Sequence, residues 1–134
     1  MLGRRLGVSL TLFLLLVAGC AGFQPLDRPQ DLPFHAGNHP MFDLHWRLQQ
    51  GEGRVSAVGV VEASRVSGID YVIVELRWLD REGRVVSQAR GRTFQGRLYR
   101  GDTQPFVVRL RPTGKEERFD LTVWDFGWAK GVGA

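Results

Sequence analysis

Three histidines and a carboxylate crowd one short stretch. His35, His39 and His45 fall within eleven residues, with Asp43 among them. Neutral imidazoles ligate zinc or copper well, and a structural zinc site closes with four ligands. The spacing works against such a site. Pro33, Gly37 and Pro40 break any helix that would set His35 and His39 on one face. His45 and Asp43, two apart, share a face if the chain is a strand there. No closed set of four ligands is visible, so solvated histidines are the expectation. A small-ligand or metal-binding role for His35, His39 and His45 stands as the alternative.

Covalent catalysis finds little to work with. Cys20 is the only thiol, and the serines beyond residue 19 are Ser56, Ser64, Ser67 and Ser87. None of these serines sits in a G-x-S-x-G elbow. Glu75 lies among arginines, where a cross-strand ion pair accounts for it. No nucleophile–base set and no glycine-rich phosphate loop can be named, so neither catalytic residues nor a cofactor are expected, and the chain reads as a non-enzyme.

The tryptophans carry the other candidate chemistry. Trp46 and Trp78 fall on apolar strand faces and belong in a core. Trp124 falls opposite Phe119, Leu121 and Val123, and Phe126 and Trp128 continue its side. Either the strand twists or changes sheets there and buries them, or they form an exposed patch for a partner. The second reading makes Trp124, Phe126 and Trp128 the candidate docking site, with Tyr71 or Tyr99 nearby.

These residues need strands to position them, and period-two alternation supplies strands. Phe42, Leu44, Trp46 and Leu48 alternate with Asp43, His45, Arg47 and Gln49. Further strands are expected at 55–62, 69–79, 85–94, 106–111 and 118–125, with a short one near Leu98. Gly59 marks a bulge or a close contact. A four-residue turn at Asp80-Arg81-Glu82-Gly83, with Gly83 left-handed, sets Leu79 opposite Arg84, Trp78 opposite Val85 and Val74 opposite Ala89. A three-residue loop would slip the register by one and bring Arg90 and Arg92 beside the valines. In the last hairpin, Leu110 opposite Phe119 sets Val108 against Leu121, Phe106 against Val123 and Arg109 against Asp120. About seven short strands predict an all-β chain, an antiparallel β-sandwich.

The N-terminus is a different kind of segment. Arg4 and Arg5 precede the apolar run 8–18, too short to span about 30 Å of hydrocarbon but fitting a signal-peptide core. Val17-Ala18-Gly19-Cys20 resembles the lipobox of bacterial lipoproteins. The resemblance implies cleavage between Gly19 and Cys20, acylation of the Cys20 sulfur, and consumption of the only thiol. Two acyl chains give stable anchoring. Ala21, where aspartate would mark inner-membrane retention, implies the periplasmic face of the outer membrane in a Gram-negative host. Pro25, Pro29, Pro33 and Pro40 then suggest an extended tether, unless Phe23, Leu26, Leu32 and Phe34 dock part of it. The expected layout is signal 1–19, lipidated cysteine and tether 20–40, domain 41–130 and tail 131–134.

The stretch 55–128 resembles small immunoglobulin-like domains of bacterial envelope proteins, including the FxLYD type. The residues that carry this are Val58-Gly59-Val60-Val61-Glu62, the run Trp78 to Val86, Gly101-Asp102 before Phe106-Val107-Val108, and the alternation from Phe119 to Trp124. The chain departs from that group in having Ala63-Ser64 after its glycine-containing strand and no Leu-Tyr-Asp signature. The resemblance implies an immunoglobulin-like sandwich and no catalytic residues.

Charge narrows the partners. Two of the 18 basic residues lie in the signal, which leaves 16 against 14 acidic ones, a balance of +2. The remaining arginines are scattered singly, as on solvated strand faces, and form no block that marks a polyanion site. Nucleic acid is not an expected partner. Membrane through the lipid, and another envelope protein or a cell-wall component, are. Replacing Cys20 with Ser should release the chain from the membrane fraction in cell fractionation, and a variant retained there as firmly as its parent overturns the anchor reading.

Overall fold

The alternating runs form seven strands: β1 (Phe34–Ala36), β2 (Asp43–Gly51), β3 (Arg54–Glu62), β4 (Ile69–Leu79), β5 (Val85–Arg92), β6 (Thr103–Leu110) and β7 (Arg118–Trp128). The structure, a computed structural model, describes residues 28–94 and 96–131. The signal region, Gly19, Cys20, Phe23, Leu26 and residues 132–134 lie outside the described residues. Two antiparallel sheets face each other, one ordered β1-β2-β3-β6 and the other β5-β4-β7. With β2, β3 and β6 in the places of strands A, B and E, and β5, β4 and β7 in those of C′, C and F, this is an immunoglobulin-like sandwich.

Each strand turns its apolar positions inward. Phe42 and Phe106 are the largest fully buried side chains, packed with Leu44, Trp46, Val74, Leu76, Val108 and Leu121. Burial of one such side chain contributes about 1.5–3 kcal/mol. The two sheets meet most closely along one side. Phe94 N–H donates to the Pro105 carbonyl at 3.3 Å, and β5 runs beside β6. A Cβ at Gly91 would collide with the Val107 carbonyl oxygen and the Val108 side chain. Along the opposite side aromatic rings fill the gap: Phe34 meets Phe119 edge-on at 5.1 Å, and Phe42 meets Phe126 at 5.4 Å.

Beyond Val86 the β4–β5 hairpin keeps the expected faces in a different register, while Val85, expected inward opposite Trp78, pairs with Leu79 and is exposed. Asp80 N–H donates to the Arg84 carbonyl at 2.8 Å, so the loop holds three residues, not four, with Gly83 at φ 81°. That loop alone would flip the faces. A bulge between the Leu79↔Val85 and Trp78↔Ser87 pairs takes up Val86 and restores them. Leu76 therefore faces Ala89 and Val74 faces Gly91. Asp80 Oδ1 accepts from the Glu82 and Arg84 amides at 3.0 and 2.9 Å, which shapes the turn.

The expected β6–β7 hairpin does not form. β6 pairs with β3 and β7 with β4, so the connecting residues 111–117 cross from one sheet to the other. Asp120 accepts from Arg77 at 2.8 Å, its ladder partner on β4, and not from Arg109. The alternation in Phe106, Val108 and Leu110 matches that in Phe119, Leu121 and Val123 equally well across a core and along a ladder. Glu116 secures the crossing, accepting from Ser87 Oγ at 3.0 Å, Thr113 Oγ1 at 2.9 Å and the Gly114 amide at 2.8 Å. Partial desolvation alone would raise its carboxyl, but these donors and the Thr113 amide outweigh it and hold the group at about 2.

Much of the stretch read as tether belongs to the domain. Pro29–Asp31 forms a 3₁₀ turn that lies against β2 and β3. Leu32 is buried, and β1 adds an edge strand to β2 with Phe34 stacked on Trp46 at 5.8 Å. The docking option for Leu32 and Phe34 is the one observed, and ordered chain starts well before residue 41.

Gly91→Ala should therefore cost about 1–3 kcal/mol by overpacking against β6, read as a lower urea midpoint. Gly51→Ala, where nothing lies within 4 Å of the added Cβ, should change stability by less than about 0.5 kcal/mol.

Candidate functional site

The strand order gathers four arginines that stand far apart in sequence. On the outer face of the four-stranded sheet, Arg47 of β2, Arg54 of β3, Arg109 of β6 and Arg111 just after it line one broad open groove of about 1270 Å³. Glu52 is the one acidic residue in that lining. Ser56 pairs with Arg109 and Val55 with Leu110, so Arg54 and Arg111 both adjoin the last pair at the same end of the ladder. Like charges so placed repel. Arg54, Arg109 and Arg111 make no ion pair or side-chain hydrogen bond with any described residue. The groove's arginines were legible only as scattered residues, because the expected β6–β7 pairing had placed Arg109 beside Asp120.

The outer face of the three-stranded sheet is the electrostatic opposite. Glu75, buried at the centre of β4, accepts from Arg90 Nε at 2.8 Å, and Arg77 Nε lies 3.9 Å away. The cross-strand pair is the one expected of Glu75, but the carboxylate, expected to be exposed, is buried. Arg77 also reaches Asp120. Arg90 stacks over Trp124 at 3.5 Å and Arg92 over Tyr71 at 4.4 Å. On this face Arg77, Arg90 and Arg92 are each matched by a carboxylate or a ring, while Arg118, opposite Leu79, has no such partner among the described residues.

The aromatic trio of β7 divides. Between the Val74↔Val123 and Ile73↔Asp125 pairs the register shifts, leaving Trp124 as the extra residue. The shift reverses the alternation, so Phe126 pairs with Val72 and packs inward on Phe42, while Trp124 stays on the outer face under Arg90. Trp128 meets Phe126 edge-on at 5.8 Å and is 58% exposed; Trp124 is 49% exposed. Both lie on β7, an edge strand of its sheet. Tyr71 lies over Gly127 on the same outer face, and Tyr99 is exposed in the β5–β6 connection. Two exposed indoles thus stand along β7, Trp124 on the outer face and Trp128 on the side of the inward Phe126.

The histidines also divide. His35 and His45 are direct ladder partners, and their Nδ1 atoms lie 2.7 Å apart. His45 Nε2 lies 3.3 Å from Glu62 Oε1. A consistent proton assignment has His45 Nε2–H donate to Glu62 while His35 Nδ1–H donates to His45 Nδ1. The two Nδ1 atoms are then spent on each other, and they stand closer than the roughly 3.3 Å that two imidazoles on one tetrahedral zinc require. His39 points elsewhere. Its Nδ1 accepts from the Met41 amide at 3.1 Å, and its ring packs on Phe42 at 5.1 Å. Among the described residues no three His, Cys, Asp or Glu side chains form a group that could hold a metal ion. Glu62 was not foreseen as a histidine partner, because it joins the pair only through the β2–β3 register.

Arg65 holds the corner that places His39. It donates to the carbonyls of His39 at 2.7 Å and Pro40 at 2.8 Å, and to Asp43 Oδ1 at 3.0 Å. The Arg65 hydrogen bond keeps the Asp43 carboxyl below its usual range. No known protein family, curated protein or solved structure matches the chain in the comparisons made.

Burial, followed by the nearby Arg65 charge, lowers His39 from its ordinary 6.5. The neutral ring is the form that fits the fold. Its contribution to stability is complete above 6.5 and is lost as pH falls through the lowered folded value. An NMR titration should give His39 a midpoint below 6.5, and His39→Asn should flatten the loss of stability between pH 7.5 and 5.5. A midpoint at or above 6.5 contradicts the assignment.

Proposed function

We propose that the protein is a bacterial envelope lipoprotein, anchored through Cys20 and facing the periplasm, whose β-sandwich is a non-enzymatic binding or scaffold module. In a Gram-negative host the Ala21 position favours the periplasmic face of the outer membrane. The partner is another envelope protein or a cell-wall component.

The observation that carries this reading is the pair of half-exposed indoles at the β7 edge. Trp124 and Trp128 sit on a rigid strand of a sheet whose core is filled. Tryptophan is enriched among the residues that dominate binding energy, because its large ring gains much on being covered. The bulge fixes Trp124 outward and Arg90 holds its ring, so little order is lost when a partner covers it.

Crosslinking of the intact lipidated protein in its own membranes, followed by mass spectrometry, should return one dominant envelope component. Trp128→Ala and Trp124→Ala should each lower its capture about ten-fold or more, the loss typical of a residue contributing over 1.4 kcal/mol. Capture unchanged in both variants removes the β7 edge as the docking site.

A further inference from the structure

We propose that the outer face of the four-stranded sheet docks on the phosphate headgroups of an anionic lipid membrane, the same membrane that holds the chain. The inference deepens the envelope-anchor reading and rests on it for the source of the phosphates.

The first support is charge. Arg54, Arg109 and Arg111 line one groove without a partner among the described residues, gathered at the end of the β3–β6 ladder. Leaving guanidinium groups unneutralised and gathered together costs stability, and a layer of phosphates relieves it. The other sheet shows the contrast, since each of Arg77, Arg90 and Arg92 is matched by a carboxylate or a ring there. Among the described residues the outer face of the four-stranded sheet carries three unmatched arginines, and that of the three-stranded sheet one, Arg118.

Shape is the second. The groove is broad, open and floored by Val58 and Val107 between the arginines. An enclosed site for one small anion would surround its ligand. Arg54, Arg109 and Arg111 present forked donors along β3 and the end of β6, which suits an extended array of phosphates.

Position is the third. Leu32 and the outward-pointing Val60 are buried, yet stand apart from the main core, and the 3₁₀ turn at Pro29–Asp31 lies on β2 and β3. The turn therefore covers the far end of the same outer face. Eight residues lie between Cys20 and Pro29, nine peptide steps in all. Such a length spans at most about 30 Å. An acylated Cys20 keeps this face, more than any other, within reach of the headgroups.

Each arginine near an anionic surface strengthens binding by about 1 kcal/mol, roughly five-fold. The full-length chain carrying Cys20→Ser should partition more strongly into phosphatidylglycerol-containing vesicles than into neutral phosphatidylcholine vesicles, and about 500 mM NaCl should erase the difference. Adding Arg54→Gln, Arg109→Gln and Arg111→Gln should weaken binding to the anionic vesicles on the order of 100-fold while leaving the neutral-vesicle background unchanged. Hydrogen exchange of the parent protein should show protection over residues 47–58 and 105–111 when anionic vesicles are added, a readout that needs no arginine variant. Equal partitioning of parent and triple variant, or protection elsewhere, overturns the proposal. Sodium phosphate displacing the protein better than sodium chloride of equal ionic strength assigns the face to a free anion and also overturns it. Failure of the anchor reading looks different: a Cys20→Ser chain that stays in cell membranes through a high-salt wash contradicts anchoring by lipid, whatever the vesicles show.

Discussion

At Gly91 the two sheets approach until the backbone of one strand lies against the carbonyl of the other, with no room for a methyl group. The remaining layout follows from that contact. Closing the sandwich between β5 and β6 forces the opposite side to gape, since two twisted sheets cannot touch along both margins and still enclose a layer of side chains. Large rings fill the gape: Phe34, Phe119, Phe42 and Phe126. The edge strand β7 lies along that side, and Trp128, set against Phe126, is the exposed end of the same aromatic seam.

The strands were legible because burial on one face imposes period two, and β4 in particular was expected at the bounds it has. What period two cannot convey is which strand a given face looks at. Phe106, Val108 and Leu110 read as partners of Phe119, Leu121 and Val123 along a ladder, and they are neighbours through the core. The same ambiguity hid the arginine groove, whose members share a face only once β6 stands beside β3. Bulges are the second blind spot. The bulge at Val86 repairs the parity of a short turn, and the one at Trp124 sends Phe126 inward away from its sequence companions. Neither leaves a residue signature as strong as the left-handed glycine at Gly83.

The histidine pair shows how a pattern in sequence dissolves into local geometry. His35 and His45 meet because β1 folds back onto β2, and Glu62 joins from the next strand. His39 sits between them in sequence but on a corner held by Arg65, where it packs against rings. Sequence proximity suggested one cluster of three. The fold makes a pair with a carboxylate, and a separate half-buried ring.

The docking of β1 and the 3₁₀ turn also sets how much of the chain is left as leash. On the proposed anchor at Cys20, nine peptide steps lead to the packed 3₁₀ turn at Pro29, where twenty-one would lead to Met41. The local concentration that a flexible leash imposes falls as about the −3/2 power of its length, so the shorter leash raises it between three- and four-fold. On the proposed anchoring, anything resident in the same membrane would meet this domain as if it were that much more abundant. A module held this way samples a thin shell above the bilayer and not the full depth of the compartment, so its encounters are with neighbours in the lipid.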